Sequence, residues 1–303
     1  MATPSLNRSF DASLFDLQRS FSSTDTNTTG SSAKENRPDS ETQAPDVKNV
    51  TTAKLYEQWS TTYDTDGNVL QAVDDIQSRE SIPAIIRSVQ SSAQERSDPL
   101  CVLDFGCGTG RTTQKLLHSP DWHQAVEIHG WDGSAHMLDS ARSKCASTPR
   151  PDASSTKHIR SINFLAVDLS NIGSLPAEQL GKVDLLVSTL VLEHMSLDEF
   201  WAHIAVLLRP GGIGLMSNMH ADMGSGSVAG FVEQESGKRL IGKSYLYSAE
   251  QTADGARKAG LEIWDVKEVA ADEGMIERGE IGERGGKWVG RKMWYGMKFR
   301  KPL

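Results

Sequence analysis

The stretch from Leu100 to Gly110 constrains the fold of this chain more than any other. It reads LCVLDFGCGTG, a short apolar run that ends in Asp104 and is followed by three glycines at alternate positions, and Arg111 to His118 then has a helical pattern. A strand, a glycine turn and a helix in this order let a backbone approach a nucleotide-like ligand closely. The glycine spacing is G-x-G-x-G, which differs from the G-x-G-x-x-G of dinucleotide-binding folds.

Further apolar runs follow, and helical patterns separate most of them. The predicted strands are Val126 to Trp131, Ile162 to Val167, Val183 to Thr189, Ile213 to Met219, Leu261 to Val269 and Lys287 to Phe299. Alternation of this kind is typical of α/β proteins. We therefore predict a Rossmann-like, doubly wound, seven-stranded sheet. It is mostly parallel, with an antiparallel last strand and helices on both faces.

The ends of these strands carry the candidate binding residues, because ligands of such sheets lie beyond the carboxyl ends of the strands. Asp132 follows the second strand, about twenty residues beyond the glycine loop, which is the spacing at which a carboxylate reaches a ribose. It could instead cap the next helix, although Ser134 can also do that. Met137 could pack on an adenine ring or belong to the core.

Composition divides the chain into a tail and one domain. Hydrophobic residues make up 38% of the chain, and residues 1–50 are rich in Ser, Thr, Asn and Asp. Such a segment buries too little apolar surface to fold, so we expect a disordered tail at 1–50 and one domain at 51–303. The net charge of −8 argues against a nucleic-acid partner, and no apolar run is long enough to span a membrane.

Three segments of the domain have patterns of their own. Tyr56, Trp59 and Tyr63 share one face of a helix predicted from Thr52 to Asp64, either as core or as a lid over a ligand, and the whole of 51–98 is predicted to be helical. Residues 220–244, rich in Gly and Ser, could be a substrate cover or a surface loop. The segment Ala270 to Gly286 is predicted to be a mobile loop.

The glycine motif VLDFGCGTG resembles the first motif of the class I S-adenosylmethionine (SAM)-dependent methyltransferases. Leu192-Glu193-His194, after the fourth strand, resembles the Leu-Glu-His of ubiquinone-biosynthesis-like and related small-molecule methyltransferases. The resemblance implies SAM as cofactor, a small-molecule acceptor and a lid at the N-terminal helix. Asp168, after the third strand, would then accept from the adenine amino group. The implied cofactor-binding residues are Asp104, Gly106, Cys107, Gly108, Gly110, Asp132, Gly133, Met137, Asp168, Leu169 and Thr189.

Methyl transfer requires that donor and acceptor be held in line and, for some acceptors, that a proton be removed. The candidates near the acceptor are Tyr63, Glu193, His194 and His220. No metal-ligand spacing is present, and the three cysteines fit a reducing compartment, so a cytoplasmic location is expected. Two alternatives to an enzyme of this kind stay open. One is a SAM-binding regulatory or scaffold protein, and the other is an NAD(P)-dependent oxidoreductase.

Overall fold

The computed structural model of the protein describes residues 47–92, 97–147, 158–226, 230–233 and 236–303. The predicted tail thus lies outside the described residues except for its end. There the prediction needs a correction, because Val47–Asn49 forms a strand (β1) that pairs with Arg239–Ile241 (β8). This pairing could not be read from the polar composition of the segment.

The main sheet has seven strands, as predicted. Their bounds are β2 Leu100–Phe105, β3 Val126–Asp132, β4 Ile159–Ala166, β5 Val183–Thr189, β6 Leu208–Met219, β9 Glu262–Ala270 and β10 Lys292–Arg300. The order is β4-β3-β2-β5-β6-β10-β9. The first five strands are parallel to one another, and β10 is antiparallel to both of its neighbours. The chain direction therefore brings the carboxyl ends of β2, β3, β4 and β5 to one edge.

Helices connect and cover these strands on both faces. Their bounds are α1 Thr52–Trp59, α2 Val69–Ser92, α3 Arg111–Leu117, α4 Ala135–Ser147, α5 Leu197–Leu207, α6 Ala221–Gly224, α7 Ala249–Lys258 and α8 Glu273–Glu277. Apolar side chains of α2 and α3 form one buried cluster with the sheet, and those of α5 and α7 form a second. Within the described residues, none of the helices combines the length and the apolar character that a membrane span requires.

Local chemistry explains where several helices begin. Ser248 caps α7, and Gln251 completes a capping box with it. Ser196 and Glu199 form the same arrangement at the start of α5. These caps satisfy backbone N–H groups that a helix leaves without partners at its first turn.

The prediction that residues 270–286 form a mobile loop is wrong. Ala271, Met275 in α8 and Ile281 are buried in one cluster with residues of α2 and β10. The glycines in this segment allow tight turns between the packed residues, so they mark bends rather than absence of structure. The described part of the predicted cover at 220–244 contains Gly230–Val232 (β7), which pairs with β8.

Candidate functional site

A cavity of about 660 Å³ lies where β2, β3, β4 and β5 end. Residues following each of these strands line it on one side, and residues of α1 and the turn after α1 line it on the other. This is the edge at which the sequence placed its candidate ligand site.

The three glycines of the loop differ in what surrounds them. Gly106 has a φ of 76°, and a Cβ there would lie 2.3 Å from Cγ2 of Val191. Gly110 has a φ of 80° and faces Ala141, 2.9 Å away, so it packs the loop against α4 and does not line the cavity. Gly108 has a φ of 53°, with no atom within 4 Å of a Cβ, and it lines the cavity. Gly108 therefore keeps open a space that a ligand can fill.

Asp132 lies at the end of β3 and lines the cavity. Its Oδ2 accepts from the Gly108 backbone N–H at 2.8 Å, and its Oδ1 accepts from the Ser134 backbone N–H at 2.8 Å. Burial raises the pKa of Asp132, while these hydrogen bonds oppose that shift. Each carboxylate oxygen has a further lone pair, so the group can still accept from ligand hydroxyls.

Asp104 does not line the cavity, which corrects its predicted contact with a cofactor. Its side chain is fully buried and accepts a hydrogen bond of 2.5 Å from Thr113 Oγ1. Burial raises its pKa to about 7. Asp104 thus links the end of β2 to α3, the two elements that flank the glycine loop.

The other residues predicted to bind a cofactor do line the cavity. They are Cys107, Gly133, Met137, Asp168, Leu169 and Thr189. Asp168 is tied locally, because its Oδ1 accepts from the backbone N–H and the hydroxyl of Ser170 at 3.0 and 2.6 Å. These hydrogen bonds lower the pKa of Asp168. The carboxylate is therefore ionised and held in place.

Sequence reasoning missed several residues that line the same side. They are Thr109, Arg111, Thr112, Ser134, Ala166, Val167, Ser170, Leu190 and Val191. Most of them lie next to a residue that the sequence did predict, and this adjacency is the signal by which they could have been found. The charge of Arg111 is balanced by Asp74 and Asp75, at 2.7 and 2.5 Å. Burial opposes ionisation of this guanidinium, yet the two carboxylates raise its pKa.

Leu190 gives the chain an unusual turn at the end of β5. Its φ is 58°, and among the described residues it is the one non-glycine residue with a positive φ. Such a conformation strains a residue that carries a side chain, and it persists where surrounding contacts hold it. It directs the chain out of the sheet toward Glu193 and His194.

The opposite side of the cavity is aromatic. Tyr56, Tyr63 and His194 line it, and the Tyr56 hydroxyl lies 2.7 Å from Nε2 of His194. Burial raises the pKa of both tyrosines, so both are neutral phenols. Burial lowers the pKa of His194 to about 4, against the effect of a backbone contact with Lys243, so this imidazole is neutral as well. Trp59, on the same helical face, is buried in the core instead.

Glu193 lies beside this aromatic side and is not among the residues that line the cavity. It is 6% exposed, and its Oε1 is 3.7 Å from Nε2 of His194. Within the described part of the chain, no hydrogen bond reaches its carboxylate, and burial alone raises its pKa to about 7. Its backbone N–H donates to Asn218, which fixes the turn.

His220 does not lie at the cavity, contrary to the prediction that it faces an acceptor. Its Nδ1 accepts from the Asp222 backbone N–H at 3.1 Å, which caps α6, and its Nε2 is 2.9 Å from Glu268 on β9. The residue follows β6, whose end is covered by β10 and α6, and this packing turns the imidazole away from the site.

Three comparisons with known proteins bear on the site. Residues 102–212 match a family model described as "Methyltransferase domain". The chain is 35% identical over 267 residues to "Uncharacterized methyltransferase AN0656" of Emericella nidulans, covering 83% of this chain and 91% of the relative. The crystal structure of the [4+2]-cyclase SpnF has the same fold. Its TM-score is 0.50 at 17% identity, over 86% of this chain and 100% of that chain.

Proposed function

This chain belongs to the class I SAM-dependent methyltransferases, and we propose that it methylates oxygen, nitrogen or sulfur of a small-molecule metabolite. One observation carries the proposal. A single cavity of about 660 Å³ joins the glycine loop and the acidic strand ends to the aromatic side at Tyr56, Tyr63 and His194. That volume lies within the range that small-ligand sites span.

The residues on the loop side fit SAM, whose positively charged sulfonium supplies a methyl group activated toward nucleophiles. We assign Asp132 to the ribose hydroxyls, because a carboxylate can accept from both, and Asp168 with Leu169 to the adenine end. Gly108 leaves room for close approach of the ligand to the backbone, and Gly106 lets the loop pack against Val191. The ionised Asp168 also favours a cationic ligand electrostatically.

The residues on the aromatic side suit the acceptor. A hydroxyl or thiol acceptor must lose a proton, and neutral His194 can take one at Nε2. Its pKa of about 4 makes it a weak base, so proton transfer depends on a group that stabilises the cation. Tyr56 is hydrogen-bonded to that atom, so a proton can reach it through the phenol, and Glu193 at 3.7 Å stabilises the resulting imidazolium. Tyr63 lines the same side and positions the acceptor.

We also propose a metabolic role and a cellular location for this activity. Resemblance to small-molecule methyltransferases favours a role in secondary metabolism, and the reduced cysteines favour the cytoplasm. The described residues hold no cluster of groups with metal-ligand geometry, and the proposal needs none. The oxidoreductase alternative has no support from the comparisons.

Two measurements test the proposal. The first is calorimetric titration of SAM into the wild type and into Asp132→Ala, where we expect affinity to fall about 100-fold as charge-assisted hydrogen bonds are lost. Asp139→Ala is the matched control, because Asp139 is an exposed acid on α4. Equal affinity in wild type and Asp132→Ala would overturn the site assignment.

The second measurement looks for transfer. Labelled SAM is incubated with the protein and metabolite fractions from the source organism, and mass spectrometry detects S-adenosylhomocysteine and labelled product. Transfer that falls in Tyr56→Phe and His194→Ala supports the acceptor side. SAM binding that depends on Asp132 without S-adenosylhomocysteine from any fraction would instead support a binding protein that transfers no methyl group.

A further inference from the structure

Asp64 connects the two walls of the cavity. It follows Tyr63 in the turn after α1, and its Oδ1 accepts from Thr109 Oγ1 at 2.7 Å. Its Oδ2 accepts from Lys144 Nζ of α4 at 2.6 Å, and Lys144 Nζ also lies 3.2 Å from Thr109 Oγ1. The three side chains thus form a closed triangle, which we call the Asp64 triangle.

The position of this triangle gives it a role. Thr109 lies between Gly108 and Gly110 in the loop, so the triangle holds the loop that borders the cavity. Tyr63, next to Asp64, borders the cavity from the opposite side. The triangle therefore joins the covering segment to the glycine loop, and both contribute residues to the cavity lining.

The covering segment, from Thr52 in α1 to Asp66 in the turn after it, is held by further hydrogen bonds. Trp59 Nε1 donates to Asp66 Oδ2 at 2.9 Å, and Gln71 Nε2 donates to the Tyr63 carbonyl at 3.3 Å. Arg284, from the segment between β9 and β10, donates to the Asp66 carbonyl at 2.6 Å. These contacts hold the end of the segment near Asp66, whereas Asp64 contacts the glycine loop itself through Thr109.

We propose that the Asp64 triangle is the latch that sets how long SAM stays bound. This inference rests on the proposed location of the SAM site. Asp64 and Lys144 side chains are 34% and 23% exposed, so salt weakens their attraction and speeds release. Asp64, Thr109 and Lys144 act as positioning residues, because they hold the walls and do not supply the reacting atoms.

The test measures release of radiolabelled SAM from the full chain after a chase with excess unlabelled SAM. Asp64→Asn and Lys144→Met should each raise the dissociation rate about fivefold, as expected for a partly exposed ion pair. The double variant should be no faster than the single ones, because both break the same contact. Added salt should speed release from the wild type more than from Asp64→Asn.

Arg142→Met is the matched control, since Arg142 lies on the same helix and pairs with exposed Asp139. It should leave the rate unchanged. Thermal midpoints confirm that each variant is folded, and Thr109→Val replaces Asp64→Asn if that variant fails to fold. An unchanged dissociation rate in the folded variants, or effects of Asp64 and Lys144 that add independently, would overturn the latch.

The design separates failure of the latch from failure of the proposed function. If Asp132→Ala binds SAM like the wild type, the proposed location of the SAM site is wrong. The latch proposal, which depends on that location, is then wrong as well. If Asp132→Ala loses SAM while the Asp64 and Lys144 variants release it at the wild-type rate, the site stands and only the latch is wrong.

Discussion

The loop side and the aromatic side of the cavity are built in different ways. On the loop side, Asp132 accepts from Ser134 and Asp168 from Ser170, each two residues away, and Asp132 also accepts from Gly108, 24 residues away. On the aromatic side, the joining contact is between Tyr56 and His194, 138 residues apart. The first kind of contact can be formed by a short motif, whereas the second exists only once the whole domain has folded.

The two sides also differ in the direction in which the pKa of a carboxyl group is shifted, as Asp168 and Glu193 show. Asp168 is ionised and hydrogen-bonded, and the pKa of its carboxyl is lowered. Glu193 is buried without a hydrogen bond to its carboxylate in the described residues, and its pKa is raised to about 7. A buried carboxylate of that kind opposes folding when it is ionised. The aromatic side therefore retains a group that stability alone does not favour.

The largest expected effect comes from removing that charge. Because the pKa of Glu193 rises from 4.5 to about 7 on folding, its charge does not destabilise the folded state below pH 4.5, and stability is lost as the pH rises from there through 7. Glu193→Gln should therefore raise the free energy of unfolding by about 3 kcal/mol at pH 8 and by about 1 kcal/mol at pH 5. Urea unfolding at the two pH values measures this.

Asp168→Asn is the control from the other side of the cavity. The pKa of Asp168 is lowered in the folded protein, so its contribution is present at neutral pH and lost in acid. Its removal should lower stability at pH 8, opposite in sign to Glu193→Gln. The same sign for both variants would show that the two sides do not differ in this way.

The second prediction concerns the open space at Gly108. Gly108 and Gly181 both have positive φ, and a Cβ added to either would have no atom within 4 Å, so alanine strains both backbones alike by about 1 kcal/mol. Only Gly108 borders the cavity. Gly108→Ala should lower SAM affinity about tenfold to 100-fold, as overpacking does, whereas Gly181→Ala should leave it unchanged. Calorimetric titration distinguishes them, and equal affinities would mean that the ligand does not approach the loop.

The same difference explains what the sequence could predict. Period and spacing predicted the seven strands, their carboxyl edge and the loop, because these depend on neighbouring residues. They did not predict the strand pairing of β1 with β8, the role of Asp64, or Tyr56 beside His194, since these contacts join distant segments. The segment with Met275 and Ile281 was misread because its glycines outweighed its few apolar residues.

The smallest effect is expected at His220, which the sequence placed at the acceptor and the structure places outside the cavity. Its side chain caps α6 and contacts Glu268, so His220→Ala should lower the free energy of unfolding by about 1 kcal/mol. Asparagine can cap the helix in place of histidine, so His220→Asn should recover most of that loss. SAM affinity should be unchanged in both variants, because neither contact reaches the cavity. If instead His220→Ala weakened SAM binding or abolished methyl transfer while remaining folded, the residue would belong to the aromatic side after all, and the division between the two sides would have to be redrawn to include the end of β6.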